Sequence, residues 1–279
     1  MSYKSIVVHL DTSRTVHSRL DVALSIAKQF DAYVTGFFTA YRPEPGSFYV
    51  LAASAEYYVE FEHRRKQQQG ALERLFHAET LRLKVEGEWQ SSTEYANRCV
   101  PKVARLADLA IVGQYNPDDP ESFVAGQFIE NLVLSSGRPV LVVPYAGEYA
   151  GIGSHVLIAW DGSREATRAL QDALPFLCRA KRVTVLTISA LDGEPLSSRL
   201  PGSDIAAIIS RHGANVVTQE IDGVTDVPIG ETILSYAADV GADLLVMGCY
   251  GHSRWREIIL GGATRSILKS MTIPALMSH

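Results

Sequence analysis

Gly248 and Gly251 follow an apolar run, and Gly261-Gly262 comes after nine intervening residues, in the stretch GCYGHSRWREIILGG (248–262). Glycines after a buried strand let the backbone come close to a ligand. A helix N-terminus supplies unpaired N–H groups and the positive end of a dipole, which suits phosphate. His252, Arg254 and Arg256 lie between and could add charge. Asp161 ends a second apolar run, in Asp161-Gly162-Ser163. A carboxylate at a strand end can accept hydrogen bonds from a ribose or hold a metal. Both features have plainer readings: glycines that only make turns, and an aspartate that only caps a turn or helix.

The elements that would carry these residues alternate. VLIAW (156–160) is a continuous apolar run, the pattern of a strand buried on both faces. Residues 164–180 place Ala166, Leu170, Ala173, Leu174 and Leu177 at helical spacing, with Ser163 as N-cap and Pro175 as a local conflict that should kink the helix. A strand at 183–188, a helix at 203–212, a strand at 215–221 and a helix from Ile229 to Gly241 follow. A strand at 243–248, the glycine loop, a helix near 262–270 and a strand at 273–277 complete the half. This alternation predicts α/β folding around a parallel sheet with right-handed crossovers. With strand order 3-2-1-4-5, Asp161 and the glycine loop would face one crevice at the switch point.

The first half repeats the plan. Asp11 matches Asp161, Ser13 matches Ser163, and Leu20, Ala23 and Leu24 match Leu170, Ala173 and Leu174, at an offset of 150 residues. ADLAIVGQY (107–115) matches ADLLVMGCY (242–250), and Pro139 matches Pro274, at an offset of 135. The first half therefore carries a longer middle, expected as one long helix over 47–81. Two related domains in tandem, 1–147 and 152–279, are joined by the glycine-bearing YAGEYAGIGS (145–154).

The pattern G-x2-G-x9-G, following a strand and paired with an early strand-ending Asp, resembles that of the ATP-binding universal stress proteins, and the resemblance covers both halves. It implies two doubly wound, Rossmann-like domains of strand order 3-2-1-4-5 that associate through their fifth strands. It assigns the nucleotide contacts to Asp161, to Met247 and Ile188 at the adenine, to Gly248 of the motif, and to Gly251, Gly261, Gly262 and Ala263 around ribose and phosphates. ATP is the implied ligand, with Mg as a candidate companion ion. Gly262 stands where the family carries Ser or Thr, so a hydroxyl is lost. The first half departs further: Asn116 replaces the second glycine, Gln127 follows Gly126, and Asp118, Asp119 and Glu121 put negative charge where phosphate would lie. It reads as a non-binding partner domain, with Asp11 separated from any phosphate role.

Composition narrows the classes. Of 279 residues, 47% are hydrophobic and 20% charged, as in a folded globular protein. The net charge of −5 argues against non-specific nucleic-acid binding. No apolar run approaches a bilayer span, and the start lacks a signal-peptide pattern. Cys99, Cys178 and Cys249 are widely spaced, which speaks against zinc or a disulfide framework and fits a reducing cytosol. His9 reads as a core histidine and Cys249 as a small loop residue. Trp255 reads as a packing or partner residue. Tyr41, Tyr49, Tyr57, Tyr58 and Phe61 read as helix packing, and His63-Arg64-Arg65-Lys66 as a solvated helix face. No catalytic triad, acid–base carboxylate pair or metal spacing emerges. The expectation is a cytosolic regulator binding an adenine nucleotide, with no membrane or nucleic-acid partner and the homodimer left open. The alternatives are a slow ATPase or a nucleotide-free stress-response partner.

Overall fold

The structure is a computed structural model that describes residues 2–40, 55–149, 151–190, 201–224, 227–251 and 262–279. The first half contains β1 (Ser5–Leu10), α1 (Val16–Phe30), β2 (Tyr33–Phe38), α2 (Ala55–Leu83), β3 (Gly87–Ser91), α3 (Ala96–Ala104), β4 (Leu109–Gly113), α4 (Phe128–Ser136) and β5 (Val140–Val143). The second contains β6 (His155–Ala159), α5 (Arg164–Leu177), β7 (Arg182–Ala190), α6 (Gly202–Arg211), β8 (Val216–Val224), α7 (Ile229–Asp239), β9 (Leu244–Gly248), α8 (Gly262–Ser270) and β10 (Ala275–Ser278).

The strands form one sheet in the order β3-β2-β1-β4-β5-β10-β9-β6-β7-β8. Each half has the expected 3-2-1-4-5 order, parallel throughout. Helices α1, α2, α5 and α6 pack one face, around residues such as Leu20, Phe76, Leu170 and Ile209. Helices α3, α4, α7 and α8 pack the other, around Val100, Leu132, Ile233 and Ile267. Burial on both faces is why the central strands read as unbroken apolar runs.

Local chemistry sets the helix ends. Ser163 Oγ accepts the Ala166 N–H at 3.1 Å, the N-cap expected from the sequence. Pro175 does not break α5: it stands two residues from the helix end, and the Cys178 N–H still reaches Leu174 O at 3.0 Å. Helix α7 closes through Gly241 at φ +64, with the Ala242 N–H on Ala237 O. Strands β7 and β8 run longer than expected, pairing as far as Ala190 and Val224. The long helix of the first half begins at Ala55 among the described residues and docks through Phe76, whose ring occupies the space a side chain at Gly36 would need. The expected solvated face at 63–66 needs one correction, because Arg65 is buried while His63, Arg64 and Lys66 are exposed. Tyr41 and Tyr49 lie outside the described residues, as do the side chains of Tyr57 and Tyr58.

The halves meet at an antiparallel seam, Ala275↔Val142, Leu276↔Leu141 and Met277↔Val140, with all of β5 and β10 buried. Tyr3, Phe30 and Phe176 pack at centroid distances of 5.1 to 5.5 Å across the join, and Tyr3 Oη donates to Asp172 O at 2.5 Å. Gln114 Nε2 donates to Leu268 O at 2.9 Å. Helix α8 connects β9 to its parallel neighbour β10 and so runs opposite to both. Since β5 is antiparallel to β10, the C-terminal end of α8 arrives at the carboxyl ends of the first half's strands.

Candidate functional site

Strands β6 and β9 are adjacent, and the chain leaves them in opposite directions, β6 into α5 on one face and β9 toward α8 on the other. A crevice must open at such a switch point. Here it is a cavity of about 310 Å³. Leu186, Ile188, Ile229, Ile233 and Met247 form an apolar base, and Asp161, Gly248, Gly251, Gly262 and Ala263 form the other end. The structure thus brings together every described residue of the expected set. Gly261 lies outside the described residues, as do His252, Arg254, Trp255 and Arg256. Asp161 also makes the plain turn, since its Oδ1 accepts the Ser163 N–H at 3.0 Å. Its carboxylate is nevertheless exposed on the cavity wall.

The glycines serve different purposes. A Cβ on Gly248 would stand 2.3 Å from Ala166 N and 2.5 Å from Glu165 C, so the missing side chain admits the start of α5, while the residue also lines the cavity. A Cβ on Gly251 would lie 2.7 Å from Glu165 Oε2. Among the described residues, a Cβ on Gly262 would meet nothing within 4 Å, and Gly262 at the start of α8 lines the cavity.

Several wall residues escaped the sequence reading. Trp160 and Tyr250 border the cavity, Tyr250 with a left-handed φ of 59. Thr264 places a hydroxyl two positions beyond Gly262. Glu165 is buried beneath the glycine turn and paired with Arg164. Burial would raise its carboxyl, but hydrogen bonds from Arg164 and from its own backbone N–H hold it below the ordinary value. Burial pushes the Cys249 thiol up to about 12, the opposite of a reactive cysteine.

The same crevice in the first half is a cavity of about 530 Å³ with a different lining. Asp11 is buried and ion-paired with Arg19 Nη1 at 2.9 Å, and Arg19 also donates to His9 O at 2.8 Å and Ser13 Oγ at 3.0 Å. The guanidinium lies against Gly113, where a Cβ would be 2.3 Å from Nη2. The His9 and Phe128 rings stand 5.0 Å apart, at the positions of Ala159 and Ala263 in the repeat. The expected acidic block also needs correction. Asp119 is buried and turned inward to accept the Arg14 N–H at 2.8 Å, and Glu121 Oε2 accepts the Thr12 hydroxyl at 2.5 Å. Asn116 Oδ1 accepts the Asp118 N–H at 3.0 Å in an ordinary turn.

His9 gives this network a pH signature. Burial lowers its imidazole to about 4, the nearby Asp11 opposes, Arg19 reinforces, and the hydrogen bond to Thr39 O opposes. Burial alone would raise Asp11, yet the Arg19 and His9 charges and the Arg19 and Ser13 hydrogen bonds hold it below the ordinary carboxylate value. An unfolded His9 takes a proton near its ordinary 6.5, so between there and about 4 the unfolded chain binds the extra proton. Stability should therefore fall as pH drops through that window, by on the order of 3 kcal/mol from His9. Lowering of Asp11 adds a further loss at more acidic pH. Urea midpoints at pH 7, 5.5 and 4.5 check this: the wild-type profile should be steeper than that of His9→Gln, and parallel profiles would refute it.

Fold and crevice together define a pair of doubly wound α/β units with an open switch-point cavity in the second. The universal stress protein family model matches residues 154–279. Over 156 residues the chain is 28% identical to universal stress protein Slr1230 of Synechocystis sp., covering 54% of this chain and 50% of that protein. Over 47 residues it is 36% identical to universal stress protein MJ0577 of Methanocaldococcus jannaschii, covering 17% and 29% respectively. The chain thus spans half or less of these curated relatives. A universal stress protein crystal structure from Archaeoglobus fulgidus superposes with a TM-score of 0.72 at 16% identity, over 98% of this chain and 95% of that one. A Pseudomonas aeruginosa protein ascribed to the same family gives 0.61 at 17%, over 99% and 93%. Residues 154–279 thus form a universal stress protein domain.

Proposed function

We propose that this protein is a cytosolic stress-response regulator that binds one adenine nucleotide, ATP with Mg, in the crevice of its second half. The observation that carries the reading is the contrast between the two crevices among the described residues: in one, the exposed Asp161 shares a cavity with apolar Ile188 and Met247 and with Gly262 and Ala263, and in the other, Asp11 is buried against Arg19 and Phe128 stands at the Ala263 position. Ile188 and Met247 would hold the base, Asp161 the ribose, and the N–H groups at Gly262 and Ala263 the phosphates. The stress role rests on family membership. The free thiols of Cys99, Cys178 and Cys249 support a reducing compartment. No helix among the described residues is long and apolar enough to cross a membrane. No cluster of three His, Cys, Asp or Glu among them could hold a metal, so Mg would arrive with the phosphates. Asp161 is the one carboxylate among the described lining residues, and it is committed to the ribose in this reading; hydrolysis should be slow or absent.

Mass spectrometry of ligand released on denaturation, followed by calorimetric titration with ATP and Mg, tests the proposal. One site per chain is expected, while two equivalent sites or none would overturn it. Turnover on the order of 1 per second would replace the regulator with an enzyme. Position 262 offers a sharper check. Gly262→Ser would add the missing hydroxyl in open space. A hydrogen bond to a charged group contributes about 1.5–3 kcal/mol, so ATP should bind roughly tenfold tighter or more. Unchanged affinity would mean that the phosphates do not reach α8.

A further inference from the structure

The first half's crevice is the larger cavity, about 530 Å³, and it reaches the seam between the halves, where α8 of the second half borders it. Its first wall is the β4–α4 connection, which carries Tyr115 and Phe123, and its second is the C-terminal part of α8, with Arg265 and Lys269 one turn apart. Tyr115 is 50% exposed and packs edge-to-face on Phe123 at 6.0 Å, so apolar ring surface is presented to the opening. Arg265 and Lys269 are exposed, and neither makes an ion pair among the described residues. The cavity also contains two carboxylates. Asp11 is neutralised by Arg19, which leaves Glu130 against two cations and one positive charge in excess.

We propose that this seam cavity is a second ligand site, separate from the nucleotide crevice, for a small aromatic monoanion such as an aryl carboxylate. The exposed ring of Tyr115 would take the aromatic body, and Arg265 with Lys269 would take the carboxylate, for which a guanidinium fork is geometrically suited. A nucleoside triphosphate fits poorly, because the Phe128 ring stands at the position of Ala263, which would border the phosphates in the other half, and Glu130 opposes polyanionic charge.

The test uses the full chain and 1-naphthoate as probe, followed by calorimetry, with 1-naphthalenemethanol as its uncharged counterpart. The expected result is one saturable 1-naphthoate site per chain. The double substitution Arg265→Ala, Lys269→Ala should weaken it about tenfold or more, since a charged hydrogen-bond partner is lost, and leave the weaker binding of the alcohol unchanged. Tyr115→Ala should weaken both probes. The altered side chains are exposed, and circular dichroism confirms that each variant is folded. Absence of saturable binding, or 1-naphthoate affinity that survives the double substitution, overturns the proposal.

Discussion

Arg19→Ala should lower the stability of the whole chain by about 3–5 kcal/mol, the range for breaking a buried ion pair by removing one partner. Arg19 is 2% exposed, and its guanidinium satisfies Asp11, Ser13 and a main-chain carbonyl together. Truncation leaves the Asp11 carboxylate buried with its main counter-charge gone, and opens a cavity against Gly113. Arg19→Lys should also destabilise, because a single ammonium cannot reproduce two-point contact with the carboxylate. Asp11→Asn combined with Arg19→Met removes both charges at nearly constant volume and should recover much of the loss. Urea denaturation of the four proteins decides. A loss below about 1 kcal/mol for Arg19→Ala, or no recovery in the double variant, contradicts the account.

Gly248→Val should both destabilise the second half and reduce ATP binding by tenfold or more. Its Cβ would sit inside contact distance of the backbone at Ala166 and Glu165, and main chain cannot rotate aside as a side-chain end can. Relief requires α5 to withdraw from β9, which carries Ser163 and the Asp161 turn away from the glycine loop. Overpacking of this kind costs about 1–3 kcal/mol, sometimes more. Gly262→Ala provides the contrast: its Cβ meets open space and the residue begins a helix, so stability should hold or rise by up to about 1 kcal/mol. Thermal unfolding and calorimetry on both variants are sufficient. Equal behaviour of the two would show that the close approach at 248 is unimportant.

Much of the fold was legible because it rests on periodicity. Strands buried on both faces must be apolar throughout, and helices between them must carry a stripe, so the order of elements and the tandem repeat could be read directly. The open crevice was legible for a similar reason, since Asp161, Gly248 and Gly262 fall at chain positions that the topology itself defines. What was missed is the content of the first crevice. Arg19 sits on an amphipathic helix, where an arginine ordinarily reads as surface, and the acids at 118–121 drew the electrostatic argument although Asp119 is buried as a main-chain cap. The signal was present in the repeat: His9, Arg19 and Phe128 align with Ala159, Ala169 and Ala263. Three small residues in one half align with three large ones in the other, and the buried Asp11–Arg19 pair rather than loop charge sets the first crevice apart. Gly248 lines the crevice and also admits the start of α5, a second demand that sequence does not reveal because it shows close approach of a backbone without showing by what.

Helix α8 spans nine residues, or about 13 Å at 1.5 Å per residue. Its first turn, Gly262–Thr264, borders the open crevice, while Arg265, Leu268 and Lys269 border the seam cavity. A short helix is a stiff rod, so displacement at one end is delivered to the other with little absorbed between. Any occupant of one cavity that moves α8 alters the standard state from which the other cavity binds. Thermodynamic linkage makes that effect reciprocal: the factor by which the first ligand changes the affinity of the second equals the factor by which the second changes that of the first.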